Sequence, residues 1–313
     1  MRLIAQLGLS SVQADLVRGA FPDVELVEFK AGEPPPEGLQ ADAFFGGYLG
    51  WDDIIRWIDA AGVQWVQLSG TGVDRVPKEL FDGRVVTCAR GASAVPISEW
   101  VMAAILTHAK RLQETNLHEP PPYWNFPNPT LDRVEGATLA LVGLGGIGSA
   151  IATRALAFGM RVRAMRRTDA PSPVQGVEIV RSLDALLPDA DHVVLAAPAT
   201  TRTRHLLDAA AFARMRKGVH IVNIARGSLI DQDALRVALD DGTVARASLD
   251  TVDPEPLPAG HWLYSHPRVL LTAHVSWYTP QLLQSAVEIL VDNLGRYQRG
   301  EPLQHVVDPD EGY

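Results

Sequence analysis

The stretch LALVGLGGIGSAIATRALAFGMRVRAMRRTDA, from Leu139 to Ala170, joins an apolar run, a glycine cluster and a segment of small residues. The run before the glycines has the length and content of a buried strand, and the segment after them that of a helix. Gly143, Gly145 and Gly148 have the spacing G-x-G-x-x-G. They would permit a tight turn, a close approach of the backbone to a pyrophosphate, and close packing of helix on strand. The spacing alone is a weak signal, but a strand before it and a helix after it predict a dinucleotide-binding turn.

The next strand, RVRAM, ends where such units usually place an acid that binds the adenosine ribose. Here Arg166, Arg167 and Thr168 stand at that place, and no Asp or Glu occurs between Ser149 and Thr168. A guanidinium binds a phosphate through two charge-assisted hydrogen bonds, so the pair favours NADP(H) with its 2′-phosphate. NAD(H) use stays possible, because Asp169 could reach the ribose while both arginines point to solvent.

Apolar runs alternate with helical segments along the whole chain of 313 residues, which is long enough for about two domains. This alternation predicts an α/β fold with two doubly wound parallel-sheet domains. We expect a Rossmann cofactor domain, residues 95–280, inserted in a flavodoxin-like substrate domain formed by residues 1–94 and 281–313, with a hinged cleft between the two.

Composition and charge exclude several classes of protein. The net charge of −9 argues against nucleic-acid binding, and no stretch approaches the 18 apolar residues of a membrane span. The N-terminus lacks the apolar core of a secretory signal, and a lone Cys88 cannot form an internal disulfide, so we expect a cytoplasmic protein. The histidines of HWLYSH (261–266) lack the Cys or acidic partners of a metal site, so no metal is expected.

A second group of polar residues follows later strands. Arg226 ends the strand HIVNIA, Asp250 ends the next strand, Glu255 lies in a proline-rich turn, and His274 follows LLTA. In open parallel sheets, ligands bind at the carboxyl ends of strands. The planar guanidinium of Arg226 suits a carboxylate or a 2-keto acid, although a lone Arg is more often a surface ion pair.

Together these motifs resemble the D-isomer-specific 2-hydroxyacid dehydrogenases, a family that includes phosphoglycerate dehydrogenases, glyoxylate/hydroxypyruvate reductases and D-lactate dehydrogenases. The resemblance covers nearly the whole chain. It rests on motifs in the family's order, namely SGTGVD (69–74), VGLGGIG (142–148), NIARGSLIDQDAL (223–235), LDTVDPEPL (249–257) and the strand-end His274.

The resemblance implies a role for each matching residue. Arg226 would bind the substrate carboxylate and carbonyl, His274 would be the acid/base, and Glu255 would orient and support the protonated imidazole. Thr71 and Gly72 would offer backbone N–H groups to the carboxylate. The residues expected at the cofactor are Gly143, Gly145, Gly146, Ile147, Gly148, Arg166, Arg167, Thr168, Pro198, Ile224, Ala225 and, at the nicotinamide amide, Asp250.

The chain departs from the family pattern around the histidine. Ala273 replaces a usual proline, Thr251-Val252 a frequent Val-Phe, and bulky Trp277 and Tyr278 stand where small residues are common. None of these changes removes a catalytic group. Trp277 either shapes the substrate pocket or packs into a domain interface, so the departures bear on the substrate more than on the reaction.

The leading hypothesis is an NAD(P)-dependent oxidoreductase that converts small 2-keto acids to D-2-hydroxy acids, or the reverse, as a homodimer. The particular acid and the direction stay open. One alternative is a non-enzymatic nucleotide-sensing protein, because a corepressor shares this fold. Another is oxidation of formate or phosphonate, although those relatives usually carry extra segments.

Overall fold

The computed structural model describes residues 1–6, 9–29, 33–34, 36–47, 50–121, 124, 129–168 and 170–309. The chain forms two compact units. One comprises Met1–Ser93 with Tyr278–Tyr313, and the other comprises Ala94–Trp277. Among the helices of the described ranges, none combines the length and apolar content needed to cross a bilayer.

The first unit contains a parallel sheet of five strands in the order β2-β1-β3-β4-β5, which is the flavodoxin-like order. Its strands are β1 (Arg2–Ala5), β2 (Glu25–Glu28), β3 (Ala43–Gly46), β4 (Trp65–Leu68) and β5 (Val85–Thr87). The helices of this unit are α1 (Ser11–Ala20), α2 (Trp51–Ala60) and, from the C-terminal segment, a long helix over Leu282–Gln298.

The second unit contains a parallel sheet of seven strands. Along the chain they are β6 (Thr138–Val142), β7 (Arg161–Met165), β8 (Val177–Val180), β9 (His192–Leu195), β10 (Val219–Asn223), β11 (Val244–Leu249) and β12 (Val269–Leu271). The helices are α3 (Ala94–Ala109), α4 (Leu112–Thr115), α5 (Gly146–Ala157), α6 (Leu183–Leu186), α7 (Ala209–Ala213) and α8 (Gln232–Asp240), which leaves α9 for Leu282–Gln298. The sheet order β12-β11-β10-β9-β6-β7-β8 is a Rossmann order with one added strand, and its direction of winding reverses between β6 and β9.

Strand residues in both sheets alternate between two apolar cores. In the first unit Ile4 and Phe44 pack with α2, whereas Leu3 and Phe45 pack with α1 and α9. In the second unit Leu139 and Leu141 face α3 and α5, and the residues between them face the opposite side. Both faces of each sheet are therefore covered, which explains why these strands read as continuous apolar runs rather than alternating ones. The predicted fold class, two doubly wound parallel α/β domains, is confirmed.

Candidate active site

The residues predicted to bind ligand in the second unit all follow the carboxyl ends of its strands. Because all seven strands are parallel, their carboxyl ends lie on the same side. The segments that emerge there from the adjacent strands β6, β9, β10, β11 and β12 begin at Gly143, Ala196, Ile224, Asp250 and Thr272. The sheet thus brings together residues that are more than one hundred positions apart in the chain.

The glycine turn after β6 has the geometry that the sequence predicts. Gly143 has φ +99°, and a Cβ added to it would lie 2.6 Å from the Ala196 carbonyl oxygen. A Cβ on Gly148 would lie 2.2 Å from the Gly143 oxygen, so both positions exclude a side chain. By contrast, a Cβ on Gly145 would meet nothing within 4 Å.

The open space at Gly145 lies at the amino end of α5. Gly145 is the N-cap residue, no side chain caps the helix, and its first turn holds no acidic residue. A helix start without a side-chain cap presents N–H groups and a positive partial charge, which is a suitable place for a pyrophosphate. The residues present therefore fit a dinucleotide: Gly145, Gly146 and Ile147 would hold its phosphates.

Arg166 lies directly beside this turn. The Gly143 N–H donates to the carbonyl of Met165, at the end of β7, over 2.8 Å. Arg166 is half-buried and its Nη1 donates to the Pro171 carbonyl at 3.0 Å, while Arg167 and Thr168 are exposed. Asp169, the alternative ribose ligand, lies outside the described residues.

The turn that carries Arg226 is held by a buried amide. The Asn223 side chain is fully buried; it accepts from the Ala225 N–H at 3.1 Å and donates to the Arg226 carbonyl at 2.9 Å. Gly227 lies so close to the next loop that a Cβ would sit 1.8 Å from the Val252 carbonyl carbon. Neither Asn223 nor Gly227 was predicted to be functional, although both lie within the motif NIARGSLIDQDAL.

His274 and Glu255 form a hydrogen-bonded pair. The His274 Nδ1 lies 3.0 Å from Glu255 Oε2, and the other carboxylate oxygen accepts from the Val252 N–H at 3.1 Å. A carboxylate only accepts, so Nδ1 carries the proton in this bond and Nε2 is left for a substrate. The imidazole is about one-third exposed, at 34%, so a small molecule can reach it.

Asp250 organises the loop that presents His274. Its side chain is 1% exposed, and its oxygens accept from Thr272 Oγ1 at 2.6 Å, the Val275 N–H at 2.9 Å and the Ser276 N–H at 3.0 Å. Its own carbonyl accepts from the His274 N–H at 2.9 Å. His274 has φ +54°, a left-handed conformation that non-glycine residues adopt only when neighbours hold them there. These bonds supply that restraint.

The remaining predicted residues lie in both units. Trp277 is half-buried against the apolar core that includes Ile97 and Val101 of α3. Ile224 and Ala225 are buried, and Pro198 is exposed just beyond β9. In the first unit, Thr71 and Gly72 follow the carboxyl end of β4, and Thr71 Oγ1 donates to the Ala89 carbonyl at 3.0 Å. In the described part of the chain no group of three or more His, Cys, Asp or Glu could hold a metal.

Comparison with known proteins defines the family. Residues 102–276 match the NAD binding domain of the D-isomer specific 2-hydroxyacid dehydrogenases. The chain is 32% identical to a glyoxylate reductase of Thermofilum pendens, over 78% of this chain and 75% of that protein. It is also 32% identical to a D-3-phosphoglycerate dehydrogenase of Methanocaldococcus jannaschii, over 82% of this chain but only 49% of that protein. This protein belongs to the D-isomer specific 2-hydroxyacid dehydrogenase family.

A solved structure shares the fold across the whole chain. It is a D-isomer specific 2-hydroxyacid dehydrogenase of Xanthobacter autotrophicus Py2 in complex with NADPH and MES. The TM-score is 0.82 at 26% identity, covering 100% of this chain and 99% of that one. The predicted resemblance is confirmed, and the second unit is a nicotinamide-dinucleotide-binding domain.

Proposed function

We propose that this protein reduces small 2-keto acids to D-2-hydroxy acids with a nicotinamide cofactor, or catalyses the reverse oxidation. The observation that carries the proposal is the His274–Glu255 pair at 3.0 Å. The pair lies at the carboxyl ends of the strands, as do the glycine turn and Arg226. The names of the relatives, glyoxylate reductase and D-3-phosphoglycerate dehydrogenase, support acids of this class.

The chain's own residues supply the proton and the fixed charges. The hydride for the substrate's carbonyl carbon would come from a reduced nicotinamide cofactor held at the glycine turn. His274 holds a proton on Nε2 and gives it to the carbonyl oxygen as negative charge develops there, which leaves a neutral imidazole. Arg226 binds the carboxylate and the same oxygen, and Glu255 keeps the ring in one orientation. Thr71 and Gly72 bind the carboxylate through backbone N–H groups, and Trp277 shapes the pocket.

The preferred cofactor in this proposal is NADP(H). Arg166 follows Met165, whose carbonyl accepts from Gly143, so a guanidinium stands beside the dinucleotide turn where NAD-specific units use an acid. No residue from Val162 to Thr168, the range that covers most of β7 and the three residues after it, is acidic. The relative from Xanthobacter autotrophicus was solved with NADPH. A 2′-phosphate would bind Arg166, Arg167 and Thr168.

The test is a panel of glyoxylate, hydroxypyruvate and pyruvate with NADPH or NADH, followed by cofactor absorbance. We expect turnover with at least one acid and a higher kcat/KM with NADPH. Arg166→Asp should reverse that preference, whereas Arg161→Gln, which removes a charge at the opposite end of β7, should not. Cofactor binding without turnover of any acid would instead identify a nucleotide sensor.

We also propose a homodimer. Large apolar side chains are exposed along the segment after α3, namely Leu112, Leu117, Trp124 and Leu131 at 49–79%. A run of this kind is typical of a surface that another protein copy covers. Light scattering after size exclusion should give twice the mass of 34.0 kDa, and replacing Leu117 and Trp124 with Ser should shift it toward the monomer.

A further inference from the structure

Arg181 brings a third arginine to the part of the sheet edge where Arg166 and Arg167 lie. It directly follows β8, the edge strand that pairs with β7. Met165 and Val180 are register partners at the ends of these two parallel strands. Arg166 and Arg181 are therefore the first residues to leave the sheet at neighbouring positions of its carboxyl edge. Arg181 lies outside the motifs that predicted the cofactor site, 15 positions after Arg166 in the chain.

The register of β7 and β8 brings side chains of the two strands into contact. Arg163 and Glu178 are register partners, and Arg163 Nη2 lies 3.2 Å from a carboxylate oxygen of Glu178. Three positions further along both strands, the corresponding residues are Arg166 and Arg181, so two cations follow a pair of opposite charges. Neighbouring strands lie only about 4.8 Å apart, so one anion beyond this edge can be attracted by both guanidinium groups.

The backbone holds Arg181 at this edge. Val180 before it is buried in the apolar core. Ser182 after it caps α6, where its side chain accepts from the Ala185 N–H at 3.2 Å. A single residue, Arg181, thus joins the strand to the cap of the helix, and it is exposed to solvent. The position of its Cα is set by packing on one side and by a helix cap on the other.

We propose that Arg181 is a specificity-determining residue for the cofactor and contributes to the binding of the 2′-phosphate of NADP(H). This inference rests on the proposed cofactor preference and adds to it a residue from a second strand. A phosphate monoester carries nearly two negative charges near pH 7, so it is attracted by cations on each side of it. Arg166 and Arg167 would bind the phosphate from the β7 side, and Arg181 would attract it from the β8 side.

The contribution of Arg181 should be electrostatic and moderate, because the residue is exposed to water. A unit charge about 6 Å from a phosphate in water gives an attraction that corresponds to about a fivefold to tenfold change in Kd at low salt. Dissolved salt screens exposed charges, so the effect should decrease as the ionic strength rises. This salt dependence distinguishes an electrostatic role from a contact that only shapes the adenosine site.

The test is fluorescence titration of the full chain with NADPH and with NADH, which differ only by the 2′-phosphate. We expect Arg181→Gln to raise the Kd for NADPH about fivefold to tenfold at low salt and to leave the Kd for NADH unchanged. Arg181→Lys keeps the charge and should bind NADPH more tightly than Arg181→Gln. Arg133→Gln, which removes a charge from an 82% exposed side chain of the same unit, should change neither Kd.

Three outcomes would overturn the inference, and they separate it from the cofactor proposal. If Arg166→Gln weakens NADPH binding and Arg181→Gln does not, the NADPH preference holds without Arg181. If Arg181→Gln weakens the binding of NADPH and NADH equally, the residue does not act on the 2′-phosphate. If the wild-type protein binds NADH as tightly as NADPH, the cofactor proposal itself fails, and the role of Arg181 fails with it.

Discussion

His274 combines a partly exposed ring with a restrained backbone. Its left-handed φ of +54° is held by the Asp250 carbonyl, while the Asp250 carboxylate binds the two following N–H groups. The ring is then fixed a second time, through Nδ1, by Glu255. In the proposed role of general acid, a ring positioned through both backbone and side chain would have little freedom to leave the reactive geometry.

Replacing His274 with alanine tests its assigned role. We expect His274→Ala to lower kcat by about 10²–10⁴-fold, the usual contribution of a general acid, with the cofactor Kd nearly unchanged. Steady-state kinetics with the best keto acid and fluorescence titration of NADPH would measure the two effects. His118→Ala, on an exposed residue of the same unit, is the control. A kcat/KM equal to that of the wild type would remove His274 from the mechanism.

Asp250→Ala tests whether the loop depends on this carboxylate. The change leaves the buried Ser276 N–H and the partly buried Val275 N–H and Thr272 hydroxyl without their acceptor, and an unsatisfied donor typically costs about 1–3 kcal/mol when it is buried. We expect a loss of about 3 kcal/mol in unfolding free energy, measured in urea, together with a loss of kcat. Asp189→Ala, at an 84% exposed side chain, should change neither quantity by much. If Asp250→Ala is as stable as the wild type, the loop is held by other contacts.

At the scale of elements, the turn between β6 and α5 contains glycines that are needed for two different reasons. Gly143 and Gly148 are required by packing, since a Cβ at either would overlap backbone atoms. Gly145 has no such conflict and has an ordinary negative φ of −88°. Close approach of a pyrophosphate to the backbone would explain why this position lacks a side chain.

Gly145→Ala should therefore preserve the fold and weaken the binding of the cofactor. The added methyl group occupies the space through which a pyrophosphate would approach the helix end, so we expect the Kd for NADPH to rise at least about tenfold, or 1.4 kcal/mol. Thermal unfolding without cofactor should match the wild type, because the methyl group meets no protein atom within 4 Å. Gly19→Ala, at an equally open position in helix α1 of the first unit, should leave the Kd for NADPH unchanged. Unchanged affinity would place the phosphates elsewhere.

At the scale of the whole molecule, we expect stability to depend on pH through three histidines that contact one another, His108, His192 and His220. Burial, followed by the neighbouring His108, lowers the pKa of His192 from 6.5 to about 4, and burial lowers the pKa of His220 well below its ordinary value. The unfolded chain therefore binds more protons than the folded chain in this range. The stabilisation is complete above about pH 6.5 and is lost as the pH falls toward 4.

Urea unfolding at pH 7.5, 6 and 5 would measure this loss. For His192 alone, a shift of about 2.5 pKa units corresponds to about 3 kcal/mol near pH 4. We expect His192→Gln to reduce the slope of stability against pH between about pH 6.5 and 4.5. His118→Gln should keep the wild-type slope, since that residue is exposed. Equal slopes in all three proteins would show that these histidines do not control acid unfolding.

Local pattern was sufficient for the fold class and for the conformation of the glycine turn. Strand length, glycine spacing and helix-forming small residues are short-range properties, so the stretch from Leu139 to Met165 predicts its own conformation. The motif order also indicated the family, and with it Arg226, Glu255 and His274 as candidates. Arg226 and His274 are 48 positions apart in the sequence, and this number does not show how far apart they lie in space.

Only the tertiary structure decided which side chains meet. The 3.0 Å contact between His274 and Glu255 exists because β10, β11 and β12 are adjacent and parallel. The burial of Asp250 and the fit of Gly227 against Val252 follow from the same adjacency. The contacts among His108, His192 and His220 left no trace in the sequence, since these residues come from α3, β9 and β10 and have no common motif. Propensity acts between near neighbours in the chain, whereas burial, desolvation and hydrogen bonding act between neighbours in space.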